Sequence, residues 1–462
     1  MGSLENMATV SPDKKVMVVG GGWAGLSCAY ALSQRGHQVT LLEAAPQCGG
    51  RARSILWPSL GIEVDNGQHI LLGAYRAFLS LLQAIGLNPD TVLSRQPFQF
   101  SVSGKNKTAH LACKTRPYLP HKLSLILDLC QAKGWTWAEK YRLGQFMAQY
   151  IFKHKAVPQD WSVLELLKQA RQSQHLIAYF WEPLLVAALS TPLSIASAQY
   201  AIEVLKDSFS GTPQNTDILI PTVPLGEVFA NPMHTWLTKQ GHTVLTHHRV
   251  TSLIVSENNT CIGVKAKDKP FYGQVVLALP PRATQQLIQP IACLQHVSKK
   301  IAQLNPESIV TVYYAFAQIH ATESIPAMQA IVQENQTHYW LFCRQVNNHT
   351  ILSAVFSGRG PHLVTDKNQL MDRVQADIQT RYPMLRTLVA RKHIQEKFAA
   401  FSADKLSLSI KPTQQTDLAG LWLCGDYTHQ TYPSTLEGAV QSGLSCAASM
   451  SGQRLKPWPL WG

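Results

Sequence analysis

Three patterns of hydrophobic and polar positions alternate along the chain. The first is a short unbroken apolar run bounded by glycine. Val16–Val19 leads into Gly20-Gly21-Gly22-Trp23-Ala24-Gly25, then into a helical pattern, and Gln38–Glu43 is a second run that ends on an acid. Such runs predict strands buried on both faces. The second pattern is helix-spaced. It covers about Tyr75 to Ile85, Leu123–Leu129, Trp135–Phe152, His175–Leu189 and a helix placed loosely over Ser194–Lys206. The third is period-two alternation, at Ile62 and Val64 before the Asn66-Gly67 turn, then at Val310–Tyr314 and Ile351–Val355. A helix around Gln369–Tyr382 and a strand near His393–Phe398 finish that stretch. Between them Gly241–Leu245, Arg249–Leu253, Gly263–Lys265 and Tyr272–Leu279 bring back strand signals, and Leu421–Leu423 opens a last run before a closing helix to about Met450. The expected class is α/β. Residues 14–100, 216–290 and 401–462 form one split domain. Residues 101–215 are a mostly helical, substrate- or membrane-facing segment, and 291–400 form an antiparallel-sheet substrate domain.

Chemistry enters with the glycines. Gly20 allows a tight exit from the strand, Gly22 lets backbone approach a pyrophosphate, and Gly25 lets the helix pack close to the strand. The helix start offers free N–H groups and partial positive charge to phosphate. Glu43, about twenty residues on, is placed to hold ribose hydroxyls. Strand, turn, helix, strand and acid in that order predict a Rossmann-type dinucleotide site. Next, Gly49-Gly50-Arg51-Ala52-Arg53 suits a loop beside a bound anion, with Arg51 or Arg53 facing a phosphate or a flavin. His69, after the glycine turn, is a candidate catalyst, although one histidine is more often structural. Glu182 sits in an apolar context where its carboxyl would titrate high, unless a salt bridge holds it. At the far end Gly425 and Asp426 follow a buried strand, and such an acid binds cofactor hydroxyls. The closing helix would point its N-terminus at a flavin and stabilise negative charge there. Both ends of the chain therefore build one cofactor site.

Length and charge narrow the partners. The chain has 462 residues, 45% of them hydrophobic, and two or three domains are expected. No apolar stretch of about eighteen residues predicts a membrane-spanning helix. Residues Met1–Asn6 stand outside the fold argument, with Met7 as the natural start. Asp13-Lys14-Lys15 runs straight into the first strand where a signal peptide would need an apolar core. The nine cysteines show no Cys-x-x-Cys and no pairing with histidine, so no metal site is expected and a reducing, cytoplasmic setting is. The net charge is +13. No nucleic-acid motif accompanies it. Residues 114–155 carry eight basic side chains against Asp128 and Glu139, with Trp135, Trp137, Tyr141, Tyr150 and Phe152 interleaved. That pattern fits either an interfacial face at the inner side of a membrane or an ordinary amphipathic cap.

The motifs together resemble the flavin-dependent amine oxidase and carotenoid desaturase superfamily. The carriers are Gly20–Gly25, Glu43, Gly49-Gly50-Arg51, Val250, Ala278-Leu279-Pro280-Pro281 and Gly425–Gly438. Within it the chain is most similar to the hydroxysqualene dehydroxylases of squalene and hopanoid synthesis. That likeness rests on Asp65–His69, Trp181-Glu182-Pro183-Leu184, Ala188–Pro192, Val223–Gly226 and Pro433–Gly443, and it runs from about Lys15 to Ala448. The family more often has Trp at Tyr427 and Gly-Leu-Pro-Ala-Thr at Thr431–Thr435. The resemblance implies a Rossmann-type FAD-binding domain with an inserted α+β substrate domain. It implies that Gly20, Gly22, Trp23 and Ala24 take the pyrophosphate, with Gly25 packing the helix beside them, and Glu43 the adenosine ribose. Gly50 and Arg51 would lie at phosphate or flavin, and Val250 at adenine. Gly425 and Asp426 would meet the ribityl or phosphate region, and Ala439 and Val440 the isoalloxazine.

The expected reaction is removal of the hydroxyl from hydroxysqualene by reduced FAD, within a long-chain isoprenoid tunnel. It needs a proton donor, with His69 first, Tyr432 second and Glu182 third. The alternatives are a phytoene-type desaturase or a flavin amine oxidase, and a third is a flavin-fold binding protein without activity. No lysine in the flavin-facing motifs fits the amine oxidase branch. No motif names the reductant.

Overall fold

The computed structural model describes residues 14–104, 107–114, 116, 118–318, 325–333 and 337–452, so Met7 and the tail of the 401–462 segment lie outside the described residues. Five short strands form an all-parallel sheet in the order Thr243–Leu245, Gln38–Leu42, Lys15–Val19, Gln274–Leu277, Leu421–Leu423. Its strands read as unbroken apolar runs because both faces are covered. Val16 and Val18 face the helices Trp23–Ser33 and Leu436–Met450. Met17 and Val19 face the other layer, made by the three-stranded meander Val250–Val255, Cys261–Ala266, Lys269–Tyr272 and the helices Pro281–Ile288 and Gln295–Ala302. The first and last helices touch closely: a Cβ on Gly443 would lie 2.2 Å from the Ala24 carbonyl oxygen.

A second sheet has seven strands, ordered Leu388–Phe401, Pro306–Ala317, His349–Phe356, His338–Val346, Met328–Val332, Gln99–Ser103, Thr108–Ala112. All neighbours are antiparallel except Met328–Val332 with Gln99–Ser103. One face packs on the helix Lys367–Arg381 through Leu370, Val374 and Ile378. The other, with Phe100, Trp340 and Phe342, packs on the helical block that includes Phe180, Trp181 and Leu185. The segment 101–215 is thus helical only after an opening hairpin that completes this sheet. Within it the expected helix Trp135–Phe152 becomes Trp137–Phe146, capped by Thr136 and Glu139, and then a wider π-helical turn over Met147–Phe152. The helix placed at Ser194 starts at Ala198, because Ser197 caps it.

Candidate functional site

The cradle at Gly20–Gly25 is built from three different uses of a missing side chain. Gly20 has φ +108, and a Cβ there would lie 2.5 Å from the Ala278 carbonyl oxygen. A Cβ on Gly25 would lie 2.0 Å from the Gly20 carbonyl oxygen, so this glycine holds helix against strand. A Cβ on Gly22 would meet only the Gly50 Cα, at 3.9 Å, and otherwise project into open space. That space is the head of a cavity of about 1070 Å³. Gly22 is also the N-cap of helix Trp23–Ser33, and no side chain caps that helix and no acid lies in its first turn. The helix therefore keeps its free N–H groups and partial positive charge for an anion. Glu43 stands beside it. Its Oε2 accepts from the Gly21 N–H at 2.6 Å, and Oε1 from the Ala45 N–H at 2.7 Å. A cradle with room for pyrophosphate, an uncapped helix end and a fixed carboxylate fit FAD.

The two ends of the chain meet in an ion pair. Arg51 Nη2 lies 2.7 Å from Asp426 Oδ1, and Arg51 Nη1 donates to the Ala399 carbonyl at 3.1 Å. Ser434 Oγ donates to the other carboxylate oxygen of Asp426. Burial pushes the Asp426 carboxyl up, but Arg51, Ser434 and Lys411 reverse this and hold it below its ordinary value. Arg51 is shifted upward: burial works against its charge, and Asp426 outweighs that.

The cavity runs on from this polar half to an apolar end lined by Phe98, Leu184, Leu205, Phe209, Trp340 and Val355. Trp340 is fixed there because its Nε1–H donates to the Pro183 carbonyl at 2.9 Å. Gly20, Gly22, Trp23, Ala24, Glu43, Gly50, Arg51, Gly425, Asp426 and Ala439 of the expected cofactor residues line the cavity. Gly25, Val250 and Val440 do not; they stand behind the wall, and Arg249 takes the place beside Val250. His69 and Tyr432 line it as well. Glu182 does not. It heads the helix Glu182–Leu189, half-buried, and burial raises its carboxyl away from the wall. Its neighbours Leu184 and Leu185 reach the cavity instead.

Electrostatics reorder the candidate proton donors. Burial pulls His69 down to about 4, with the Gly67 backbone opposing, so its ring is neutral near pH 7. Its buried Nδ1 has no hydrogen-bond partner among the described residues. Tyr432 donates to Asp207, another wall residue whose carboxyl burial raises, and it stacks on His429 with ring centroids 4.8 Å apart. The group that sequence reasoning passed over is Glu437. Its Oε1 accepts from the Ala77 N–H at 2.9 Å and from Gln441 Nε2 at 2.8 Å, and its Oε2 accepts from the Phe78 N–H at 3.1 Å. It thus caps a helix (Arg76–Ala84) that lies far from it in sequence while facing the cavity. Burial pushes this carboxyl up to about 7, against those three N–H donors and with Asp207 adding to the rise. Gln441 in turn meets His429 Nε2 at 3.0 Å. Lys411 lies behind the same wall. Its Nζ donates to the carbonyls of His429 and Tyr432, and burial lowers it to about 7. No group of metal-ligating side chains occurs among the described residues.

Comparison with known proteins agrees with this architecture. The family model for flavin containing amine oxidoreductase matches residues 23–451. The chain is 24% identical over 434 residues to a hydroxysqualene dehydroxylase of Zymomonas mobilis, covering 93% of this chain and 97% of that one. It is 22% identical to a 15-cis-phytoene desaturase of an Oncidium hybrid, covering 96% of this chain and 79% of that one. Among solved structures it resembles an oxidoreductase from Methanosarcina mazei, with TM-score 0.72, 15% identity and coverage of 93% and 99% of the two chains. That likeness shows the fold.

Proposed function

The chain belongs to the flavin-containing amine oxidoreductase family and is an FAD-dependent oxidoreductase, and from that premise we propose that it converts hydroxysqualene to squalene and water. One observation carries the reading: a single cavity joins the dinucleotide cradle to an end walled by Phe98, Leu184, Leu205, Phe209, Trp340 and Val355. A long hydrocarbon gains most of its binding energy from such a wall. The similarity to relatives named for hydroxysqualene and for phytoene supports an isoprenoid substrate.

The net change replaces C–OH by C–H, taking up one hydride and one proton and releasing water. When bound, reduced FAD supplies the hydride. The chain's part is to hold the substrate, exclude water and deliver the proton, because hydroxide leaves poorly. Glu437 is the donor in this reading. It faces the cavity, and burial keeps part of it protonated near pH 7. Tyr432, tied to Asp207, positions the hydroxyl. The aromatic wall favours developing cationic charge.

The expected pH profile follows. Activity falls as pH rises through about 7, where Glu437 loses its proton. Glu437→Gln flattens that limb and lowers the rate by about 10²–10⁴-fold, the usual worth of a positioned acid. Stability gives an independent readout. The folded-state pKa lies above the ordinary 4.5, so the fold binds this proton more tightly than the unfolded chain. Ionisation therefore costs stability progressively from about pH 4.5 up to about 7, and acid restores it. Urea unfolding of Glu437→Gln at both ends of that window should lack this slope.

The decisive experiment is anaerobic. Photoreduced enzyme mixed with hydroxysqualene should reoxidise its flavin and form squalene stoichiometrically. Flavin reduction by phytoene, without reoxidation by hydroxysqualene, would move the assignment to the desaturases. The amine oxidase reading has little support here, since Lys411 is bound to two carbonyls behind the wall.

A further inference from the structure

The helix His121–Gln131 carries apolar side chains on two faces, with Leu125 and Leu129 packed on the core. Ser124 and Asp128 are its buried residues, while Leu123, Ile126 and Leu127 are exposed, Ile126 at 54%. This arrangement is held in place by specific bonds. Arg116 Nη2 lies 2.7 Å from Asp128 Oδ1, and the Lys114 N–H donates to Asp128 Oδ2 at 3.0 Å. Arg116 Nη1 donates to Ser124 Oγ at 2.7 Å, and that hydroxyl donates to the Lys114 carbonyl at 2.8 Å. With Ser124 and Asp128 held inward beside Leu125 and Leu129, the face bearing Leu123, Ile126 and Leu127 stays outward.

The next helix extends the same face. Lys140, on helix Trp137–Phe146, donates to the Cys130 carbonyl at 2.7 Å, and its ammonium sits 4.6 Å from the Trp137 ring centroid. Trp137 is 71% exposed, and Tyr141 one turn on is exposed too. Trp135 and Tyr150, interleaved with them in sequence, are buried and Phe152 packs half-buried on the core, so two of the five expected aromatics, Trp137 and Tyr141, are exposed. Lys122, on the first of these helices, and Lys133, two residues past its end, are exposed. The two acids between 114 and 155 are withdrawn: Asp128 is bound to Arg116, and Glu139 closes its own helix cap and accepts from Ser173. The apolar ridge is thus accompanied by exposed lysines and, within 114–155, by no exposed acid.

We propose that this face docks on an anionic phospholipid bilayer, with Leu123, Ile126, Leu127 and Trp137 entering the headgroup boundary and Lys122 and Lys133 meeting lipid phosphates. Charge selects lipid over a second copy, because pairing this face with itself would oppose the lysines, in a chain of net charge +13. No helix among the described residues is long and apolar enough to cross a membrane, so the contact lies on the surface. The face also abuts the apolar end of the cavity. The His121 ring interacts with the main chain of Phe209, and Phe209 lines that end beside Phe98, with ring centroids 5.8 Å apart. A substrate dissolved in the bilayer would meet the protein where its cavity is apolar. The docking itself holds for any substrate, so it stands or falls apart from the reaction proposed above.

The test is vesicle sedimentation of the FAD-loaded full chain. Wild type should bind phosphatidylcholine–phosphatidylglycerol vesicles at least about tenfold more tightly than phosphatidylcholine alone, and lose that excess in high salt. L123S/I126S and K122E/K133E should each weaken binding about tenfold or more, since one lysine near the surface is worth roughly fivefold. Their flavin content and their turnover of detergent-dissolved substrate should match wild type, which shows that they fold. Wild type left in the supernatant with anionic vesicles overturns the proposal, as does unchanged binding by a flavin-replete L123S/I126S. A concentration-dependent dimer that L123S/I126S abolishes, without vesicle binding, would assign the face to a second copy instead.

Discussion

Gly22→Val is expected to give a folded protein that purifies without flavin. The reasoning rests on where the added atoms go. A Cβ on Gly22 meets only the Gly50 Cα, at 3.9 Å, so the strand, turn and helix keep their positions. The valine methyls then occupy the space in front of the uncapped helix end, where a pyrophosphate bound to the free N–H groups would lie. Affinity for FAD should fall by about a hundredfold or more, some 2.7 kcal/mol. Gly25→Ala, three residues on, should do the opposite. Its Cβ would sit 2.0 Å from the Gly20 carbonyl oxygen, and the helix must move for the methyl to fit. That kind of overpacking costs about 1–3 kcal/mol or more, and the loss should appear as reduced soluble yield and a lower melting temperature. The flavin-to-protein absorbance ratio and a melting curve separate the two. A Gly22→Val protein that stays yellow would refute the placement of the pyrophosphate.

Arg51→Met should be among the most destabilising single substitutions in the chain. It strands the Asp426 carboxylate, whose side chain is only 3% exposed, with Ser434 and the more distant Lys411 as its remaining help. Removing one partner of a buried pair costs about 3–5 kcal/mol, because the other charge stays desolvated. Asp426→Asn placed on top of Arg51→Met should recover much of that loss, and a double-mutant cycle reads the coupling. The pH dependence should change sign. In wild type the Asp426 carboxyl is held below its ordinary 3.8, so its contribution is present above that value and fades as pH falls further. In Arg51→Met burial acts with less opposition and lifts the folded-state pKa, so acidification should stabilise the variant relative to neutral pH. Equal slopes for the two proteins in urea titrations would count against the pair as described.

Much of this was legible in the sequence, for identifiable reasons. The parallel strands announced themselves because a strand buried on both faces has no polar alternation to hide it, as at Val16–Val19. Cradle glycines and Glu43 were readable because their spacing is local and the turn geometry dictates residue type. What escaped depends on partners distant in the chain. Glu437 looked like one residue of a helix-opening motif, and nothing nearby says that it caps Arg76–Ala84. Asp207 carries no motif at all, yet it meets Tyr432 across the cavity wall. The helix 121–131 shows a third kind of loss. Its leucines occupy more than one face, and which of them stay outside is set partly by Arg116 and Lys114, outside the helix, which hold Asp128 inward. Trp135 and Trp137 differ by two positions and part company at a helix boundary set by the Thr136 cap.

The order of strands in the parallel sheet has a consequence for how the protein is made. Gln274–Leu277 gains its outer neighbour only when Leu421–Leu423 arrives, and most of the seven-stranded sheet lies between them in sequence. While the ribosome is still translating that stretch, the nascent chain presents an unpaired apolar strand edge and half a flavin site. Such an edge invites aggregation until it is covered. Asp426 and the helix Leu436–Met450, which supply part of the cavity wall, follow that stretch in sequence, so the wall is complete only once they have been made. Chaperone demand during synthesis, and the fate of chains cut short before Leu421, follow from that timing.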